Sequence, residues 1–226
     1  MNPLSGVLSE AWALYRAHFG HLITIAFVLY VVIAIVQAVL VGLLGGLGVV
    51  LGAIVGIIAA FLLQAALVKA VEDVHDGRAD LSLGGTLQAA RPAIWRVAGA
   101  SILAGIGIAI GLALLIVPGL ILLTIWCLIV PVIVLEGAGV GASFGRSRQL
   151  VRGYGGPVFG TIILVFLLLI VVDLVIALVL AVLPETVRNA ISGIVSGTLV
   201  SPFLAVVLTL GYYRLRGAPE PRPIAT

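Results

Sequence analysis

Charge is what this sequence has least of. Asp, Glu, Lys and Arg make up 9% of its 226 residues, while 62% are hydrophobic; a water-soluble domain is about a quarter charged. Three stretches, residues 22–68, 97–135 and 189–213, contain no charged side chain. So few charged groups cannot cover a soluble domain of this size, so the solvent for most of the chain is lipid. Cysteine is nearly absent too: Cys127 stands alone, which excludes an internal disulfide. No Ser-His-Asp set, P-loop, metalloprotease motif or dinucleotide fingerprint is present, which argues against catalysis by this chain and against a cofactor. No basic patch interleaved with aromatics occurs either, so the net charge of +3 is not read as a nucleic-acid footprint. The first residues lack a basic segment ahead of a short apolar core, and no Ala-x-Ala site follows, so a cleaved signal peptide is not expected.

What is present is hydrocarbon in lengths that match a bilayer. A core of roughly 30 Å takes about 20 helical residues. Residues 22–68 would make a helix of about 70 Å and residues 97–135 one of about 58 Å, so each must fold back once. Gly42-Leu-Leu-Gly-Gly-Leu-Gly48 marks the first reversal and Val117-Pro-Gly119 the second. The last third divides at Pro184-Glu-Thr-Val-Arg-Asn189. The runs show no in–out alternation of the kind a barrel requires. The expectation is an all-α polytopic membrane protein with six transmembrane helices in three hairpins. The spans fall at about 22–45, 47–70, 97–116, 119–136, 157–183 and 190–213, in one membrane domain over residues 1–216. Residues 217–226 are expected to form a flexible cytoplasmic tail.

Eleven of the 12 basic residues fall on one side of this topology, and only Arg188 on the other. Short loops carrying Lys and Arg stay in the cytoplasm, so both termini are expected there, in the cytoplasmic (bacterial inner) membrane. A short amphipathic helix is expected on that side before each hairpin. In the first, over residues 3–20, Asn2-Pro3 starts the helix and Leu4, Leu8, Ala11, Trp12, Tyr15 and Phe19 recur at helical spacing. In the second, Leu83, Leu87, Ala90 and Ile94 form the stripe, with Pro92 as a kink. In the third, Val140, Phe144 and Val151 oppose Arg146, Arg148, Gln149 and Arg152. Arginines and aromatics at such sites suit helices lying in the headgroup plane; the alternative is that they are plain connectors.

Inside the spans, small residues recur every four positions. Gly48, Gly52, Gly56 and Ala60 do so on the second, Ser101, Gly105 and Ala109 on the third, and Gly193, Gly197, Ser201 and Ala205 on the sixth. Helices in lipid gain by close backbone approach rather than by burying apolar groups, so tight packing is expected there; an oligomer seam or a conduit lining is the alternative. Pro131 and Pro202 should kink their spans. Gln37, Gln64 and Asp173 are the candidate polar groups at membrane depth. An Asp there costs roughly 2.5–3.5 kcal/mol on insertion scales, and the functional default is an ion or proton site. The other reading is a protonated Asp173 bonded to Ser192, Ser196 or Thr198. Glu72-Asp-Val-His-Asp76 could hold a divalent cation, or be a solvated helix end capped by Gly77. His18 and His21 share a face but lack a third ligand, and no metal site is expected.

Three segments, read together, resemble a known family. Leu115-Ile-Val-Pro-Gly-Leu-Ile-Leu-Leu123 and Pro131-Val-Ile-Val-Leu-Glu-Gly137 precede Ala142-Ser-Phe-Gly-Arg-Ser-Arg-Gln-Leu-Val-Arg-Gly153. This order is similar to the membrane domain associated with bacterial glycerophosphoryl diester phosphodiesterases and its stand-alone relatives. Ala11-Trp-Ala-Leu-Tyr-Arg-Ala-His-Phe-Gly20 and Leu208-Thr-Leu-Gly-Tyr-Tyr-Arg-Leu-Arg216 resemble that family's first and last helical motifs. The soluble phosphodiesterase domain has no counterpart in these residues, so no catalytic residue carries over. Where the family commonly has an acid, this chain has Arg214. The resemblance singles out Glu136, Arg146, Ser147 and Arg152. It implies a cluster that either pins the third short helix through Glu–Arg pairing or binds lipid headgroups. The expected function is therefore non-enzymatic: handling lipid or envelope components, or scaffolding a protein that does. Membrane lipids are the expected partners, with a second copy or another membrane protein as further candidates. The alternative is a small solute or ion transporter using Asp173.

Overall fold

The computed structural model describes residues 2–76 and 82–219. Gly77, most of the tail, and Arg78 and Arg222, two of the eleven basic residues counted above, lie outside the described residues. Among the described residues the chain is helical with no strand. The helices are α1 (Val7–Ala17), α2 (Phe19–Leu44), α3 (Gly46–His75), α4 (Leu83–Ala90), α5 (Ile94–Leu114), α6 (Ile116–Trp126), α7 (Ile129–Glu136), α8 (Val140–Val151), α9 (Gly155–Val179) and α10 (Glu185–Arg216). A short 3-10 turn, Arg91–Ala93, carries Pro92 between α4 and α5. Six segments are long and apolar enough to cross a membrane: Phe19–Leu44, Gly46–His75, Gly84–Leu114, Ile116–Glu136, Gly155–Val179 and Ile191–Arg216.

The reversals show how glycine does its work. Gly45 joins α2 to α3 at φ 55, ψ −127, a region closed to residues with a Cβ. Just beyond it the two helices touch through backbone: a Cβ on Gly48 would stand 1.9 Å from the Leu40 carbonyl oxygen. The second reversal differs from expectation. It falls at Leu115, in extended conformation, and not at Val117-Pro-Gly119. Pro118 instead sits in the first turn of α6, where a missing N–H costs nothing because those groups have no helical acceptor. Gly119 serves the crossing of α5 and α6: a Cβ on Gly111 would come within 2.9 Å of its Cα.

The fourth span is broken. α6 ends at Trp126 and α7 begins at Ile129. Pro131 has no N–H for the carbonyl of Cys127 and its ring crowds that carbonyl, so the kink expected at Pro131 is taken up as a break one turn earlier. Pro202, by contrast, lies within a continuous α10.

Packing is uneven across the membrane. On the arginine-rich side α1, α8 and the ends of α2, α3, α7, α9 and α10 bury Val7, Tyr15, Leu22, Val71, Val132, Val151, Leu210 and Tyr212 in one cluster. A second cluster joins α3, α5 and α7 through Ala65, Ala66, Val97, Ala100 and Ile133. Towards the other side the apolar side chains stand clear of the protein: Val182 is 89% exposed, Leu43 77% and Leu114 74%. In lipid such exposure carries no penalty. The helix expected over 3–20 is shorter: turns carry the buried Leu4 into α1, whose buried stripe is Val7, Ala11 and Tyr15, and Phe19 already begins α2; Trp12 and Phe19, expected on the stripe, are about half exposed.

Candidate functional site

α7 ends in Glu136, where a carboxylate meets the negative end of a helix dipole and needs cations beside it. The fold supplies them from three elements. Arg146 of α8 donates from Nε to both carboxylate oxygens, at 3.1 and 3.0 Å. The fully buried Tyr212 of α10 donates its hydroxyl to Glu136 Oε1 at 2.8 Å and accepts from Arg216 at 3.3 Å. Gly137 closes α7 at φ 70, and Arg96 of α5 donates to the carbonyls of Gly137 and, at 3.4 Å, Ala138. Glu136 thus ties α7, α8 and α10 together, while Arg96 fastens α5 to the turn that follows α7.

α8 is anchored at a second point, in the break of the fourth span. Ser147, wholly buried, donates to the Ile125 carbonyl at 2.8 Å and accepts the Leu128 N–H at 3.3 Å. One hydroxyl therefore satisfies a group on each side of the gap. With its Ser143, Ser147, Leu150 and Val151 face buried, α8 is fixed in rotation, and Arg148 and Arg152 are turned outward. Both are exposed, and among the described residues neither side chain makes a hydrogen bond or ion pair.

α1 is held by Arg214, which pairs with the Glu10 carboxylate and donates to the carbonyls of Ser5 at 2.6 Å and Pro3 at 3.3 Å. Arg214 thus ties α10 to α1 and to the turn that precedes it. Tyr15 donates to the Leu199 carbonyl at 3.0 Å, three residues before Pro202, whose ring disturbs the helical bonding there. Burial pushes the Tyr15 pKa up to about 12, so it is a neutral donor at any ordinary pH. Its ring packs edge-on against Phe203 and Phe19.

The remaining candidates separate. Gln37 donates to the Gly52 carbonyl at 3.1 Å, and a Cβ on Gly56 would come within 2.6 Å of its amide nitrogen. Gly52 and Gly56 are therefore the seat of a polar side chain as well as a packing face. Gly197 lies under the Tyr30 ring, 2.4 Å from where a Cβ would stand, and the Tyr30 hydroxyl meets Ser201 at 3.0 Å. Gly193, expected on the same packing face, meets no atom within 4 Å: α10 has left α2 one turn earlier in its course, so nothing covers it. Asp173 is exposed on α9 and accepts a hydrogen bond from Ser196. In Glu72-Asp-Val-His-Asp76, Glu72 pairs with Lys69 at 2.7 Å, His75 stacks on Tyr213, and Asp73 is buried. No group able to hold a metal occurs among the described residues.

Two cavities flank α7 and α10. The smaller, about 210 Å³, contains Tyr30, Gln64, Pro131 and Ser201. The larger, about 440 Å³, runs between α5, the broken fourth span, α9 and α10, and reaches Leu4 and Val7 at the arginine-rich side. Asp173 lines neither. Of these residues, Tyr212, Arg96 and Tyr30 were not singled out from the sequence. A tyrosine inside an apolar run was the available signal, since a buried hydroxyl needs a partner.

The fold and these groups define an integral, multi-pass helical membrane protein. No protein-family model, curated protein or solved structure matches the chain.

Proposed function

We propose that this protein is a non-enzymatic lipid-handling component of a cytoplasmic membrane, with both termini in the cytoplasm and α8 facing the inner-leaflet headgroups. The orientation rests on the basic residues gathered at one side. The reading is carried by one observation: Arg148 and Arg152 project from a helix that Ser147 and the Glu136–Arg146 pair hold in fixed rotation, and both lack a protein partner among the described residues. Arg146 is the pin, and Arg148 and Arg152 are the reading heads. Each arginine at a negatively charged leaflet contributes about 1 kcal/mol of attraction, weakened by salt. The resemblance to the phosphodiesterase-associated membrane domain supports the same reading and goes with it as a proposal.

The test compares Arg148→Gln/Arg152→Gln with wild type in vesicles of phosphatidylglycerol and phosphatidylcholine. The double variant should co-purify with less phosphatidylglycerol at unchanged melting temperature. Glu136→Gln should do the reverse, lowering the melting temperature and leaving lipid content alone. An unchanged phosphatidylglycerol content in the double variant refutes headgroup binding.

A further inference from the structure

The larger cavity does not look like packing that fell short. It is open along one side, and its volume of about 440 Å³ is within the roughly 300–1,000 Å³ of small-molecule sites, whereas close-packed interiors leave few voids larger than a water molecule. Water is a poor occupant, since a buried water needs two to four polar partners. The lining side chains with a polar or sulfur atom are Ser101, Cys127, Thr161 and Trp126, too few to hold a water cluster, and the Thr161 hydroxyl is already spent on the Pro157 carbonyl at 3.0 Å. Hydrocarbon is the remaining chemistry.

The dimensions specify which hydrocarbon. Along α9 the walls run from Val158 to Leu169 and along α10 from Leu204 to Leu215. Each is about 17 Å at 1.5 Å per residue, close to half of a roughly 30 Å hydrocarbon core. The cavity therefore spans one leaflet, beginning on the arginine-rich side. Its walls at the bundle's edge, Gly105 of α5 and Phe166 of α9, are exposed, which leaves a lateral way in. Inside, Gly211 is buried yet a Cβ there would meet nothing within 4 Å, and a Cβ on the exposed Gly105 would likewise meet nothing. Both glycines face empty space, unlike Gly107 on the same helix, which lies against Trp126. At the arginine-rich end, Arg152 stands three residues before α9 begins and Arg216 next to the lining residue Leu215.

From this we infer that the cavity takes one acyl chain of an inner-leaflet phospholipid, inserted between α5, α7, α9 and α10, with its anionic headgroup at Arg152. The inference deepens the lipid-handling reading and rests on it for the class of ligand, but the chain site and the headgroup site are different residues and fail separately.

Because Gly105 and Gly211 face open space, phenylalanine can be placed at either without striking backbone, and it fills the volume the chain would use. The protein is reconstituted with phosphatidylglycerol or phosphatidylcholine, extracted in mild detergent and weighed intact by native mass spectrometry. Wild type should retain one phospholipid of either headgroup. Gly105→Phe/Gly211→Phe should lose it while keeping its melting temperature. Arg148→Gln/Arg152→Gln should keep one lipid but lose the preference for phosphatidylglycerol. If the double arginine variant shows no such change, the headgroup reading falls and the chain site stands. Undiminished retention in a folded Gly105→Phe/Gly211→Phe protein overturns the chain site. Should that variant aggregate, Gly211→Leu is tested with brominated-chain phosphatidylglycerol in a Trp12→Phe/Trp95→Phe background. Weaker quenching of Trp126, which lines the cavity, supports the inference, and unchanged quenching overturns it.

Discussion

Ser147→Ala isolates the step on which the position of α8 depends. The hydroxyl is wholly buried and bridges Ile125 O and Leu128 N across the break in the fourth span. Its removal leaves one carbonyl and one N–H without a partner at membrane depth, where no water replaces it. A buried polar group left unpaired costs about 1–3 kcal/mol, whereas hydrogen bonds between membrane helices average about 0.6 and reach about 1.7. Two bonds of this class, one of them long at 3.3 Å, give about 2 kcal/mol. At roughly 2–4 °C per kcal/mol for a chain of this size, the melting temperature should fall by about 4–8 °C. Ser143→Ala is the matched control. Ser143 is equally buried, but its hydroxyl returns only to Val140 O of its own helix, at 2.7 Å, so its loss should cost at most about 0.5 kcal/mol. Pro131→Ala provides a further check, because it restores the N–H that the Cys127 carbonyl lacks. In that background the fourth span can run on as a helix, and the Ser147→Ala penalty should shrink. Unfolding in mixed micelles, followed by circular dichroism, measures the four variants against wild type. Equal melting temperatures for Ser147→Ala and Ser143→Ala would refute the bridging role.

Other outcomes follow from single contacts. Gly48→Leu and Gly197→Leu should each destabilise by about 1–3 kcal/mol in a detergent melt, because backbone or the Tyr30 ring occupies the added volume, while Gly193→Leu should be neutral. Tyr212→Phe should cost about 1–2 kcal/mol through loss of its hydrogen bond to the Glu136 carboxylate, and adding Glu136→Gln should cost less than the two changes separately. Cysteine accessibility in a Cys127→Ser protein should label positions 75, 148 and 218 from the cytoplasmic side and 184 from the other; labelling 148 from outside would overturn the proposed orientation. Stability should hold up to about pH 10 and then decline towards pH 12, partly because the buried, neutral Tyr15 has its pKa raised to about 12 while an unfolded tyrosine ionises near 10; Tyr15→Phe should flatten part of that decline.

The number and approximate limits of the apolar helices were legible in the sequence alone. Hydrocarbon length against bilayer thickness is a one-dimensional comparison, and residues 22–68 and 97–135 are each long enough for two spans and too long for one. The glycine-rich turn over 42–48 was readable for the same reason, since only glycine permits the turn at Gly45 and the approach at Gly48. What the sequence could not decide was which residue meets which across the bundle. The reversal at Leu115 in place of Pro118 depended on where α5 and α6 pack, through Gly111 and Gly119. Gly193 and Gly197 are alike in sequence, and only the course of α10 past Tyr30 makes one a contact and leaves the other bare. The same holds for the arginines of α8: Arg146, Arg148 and Arg152 are equivalent as letters, and rotation of one helix, set by Ser147 in a proline-made gap, gives Glu136 to the first and leaves the other two outside. The cavity, too, belongs to the tertiary structure alone. It is the space left when α9 rests on α10 and α6 without closing on α5, and no local pattern encodes a space between helices distant in sequence.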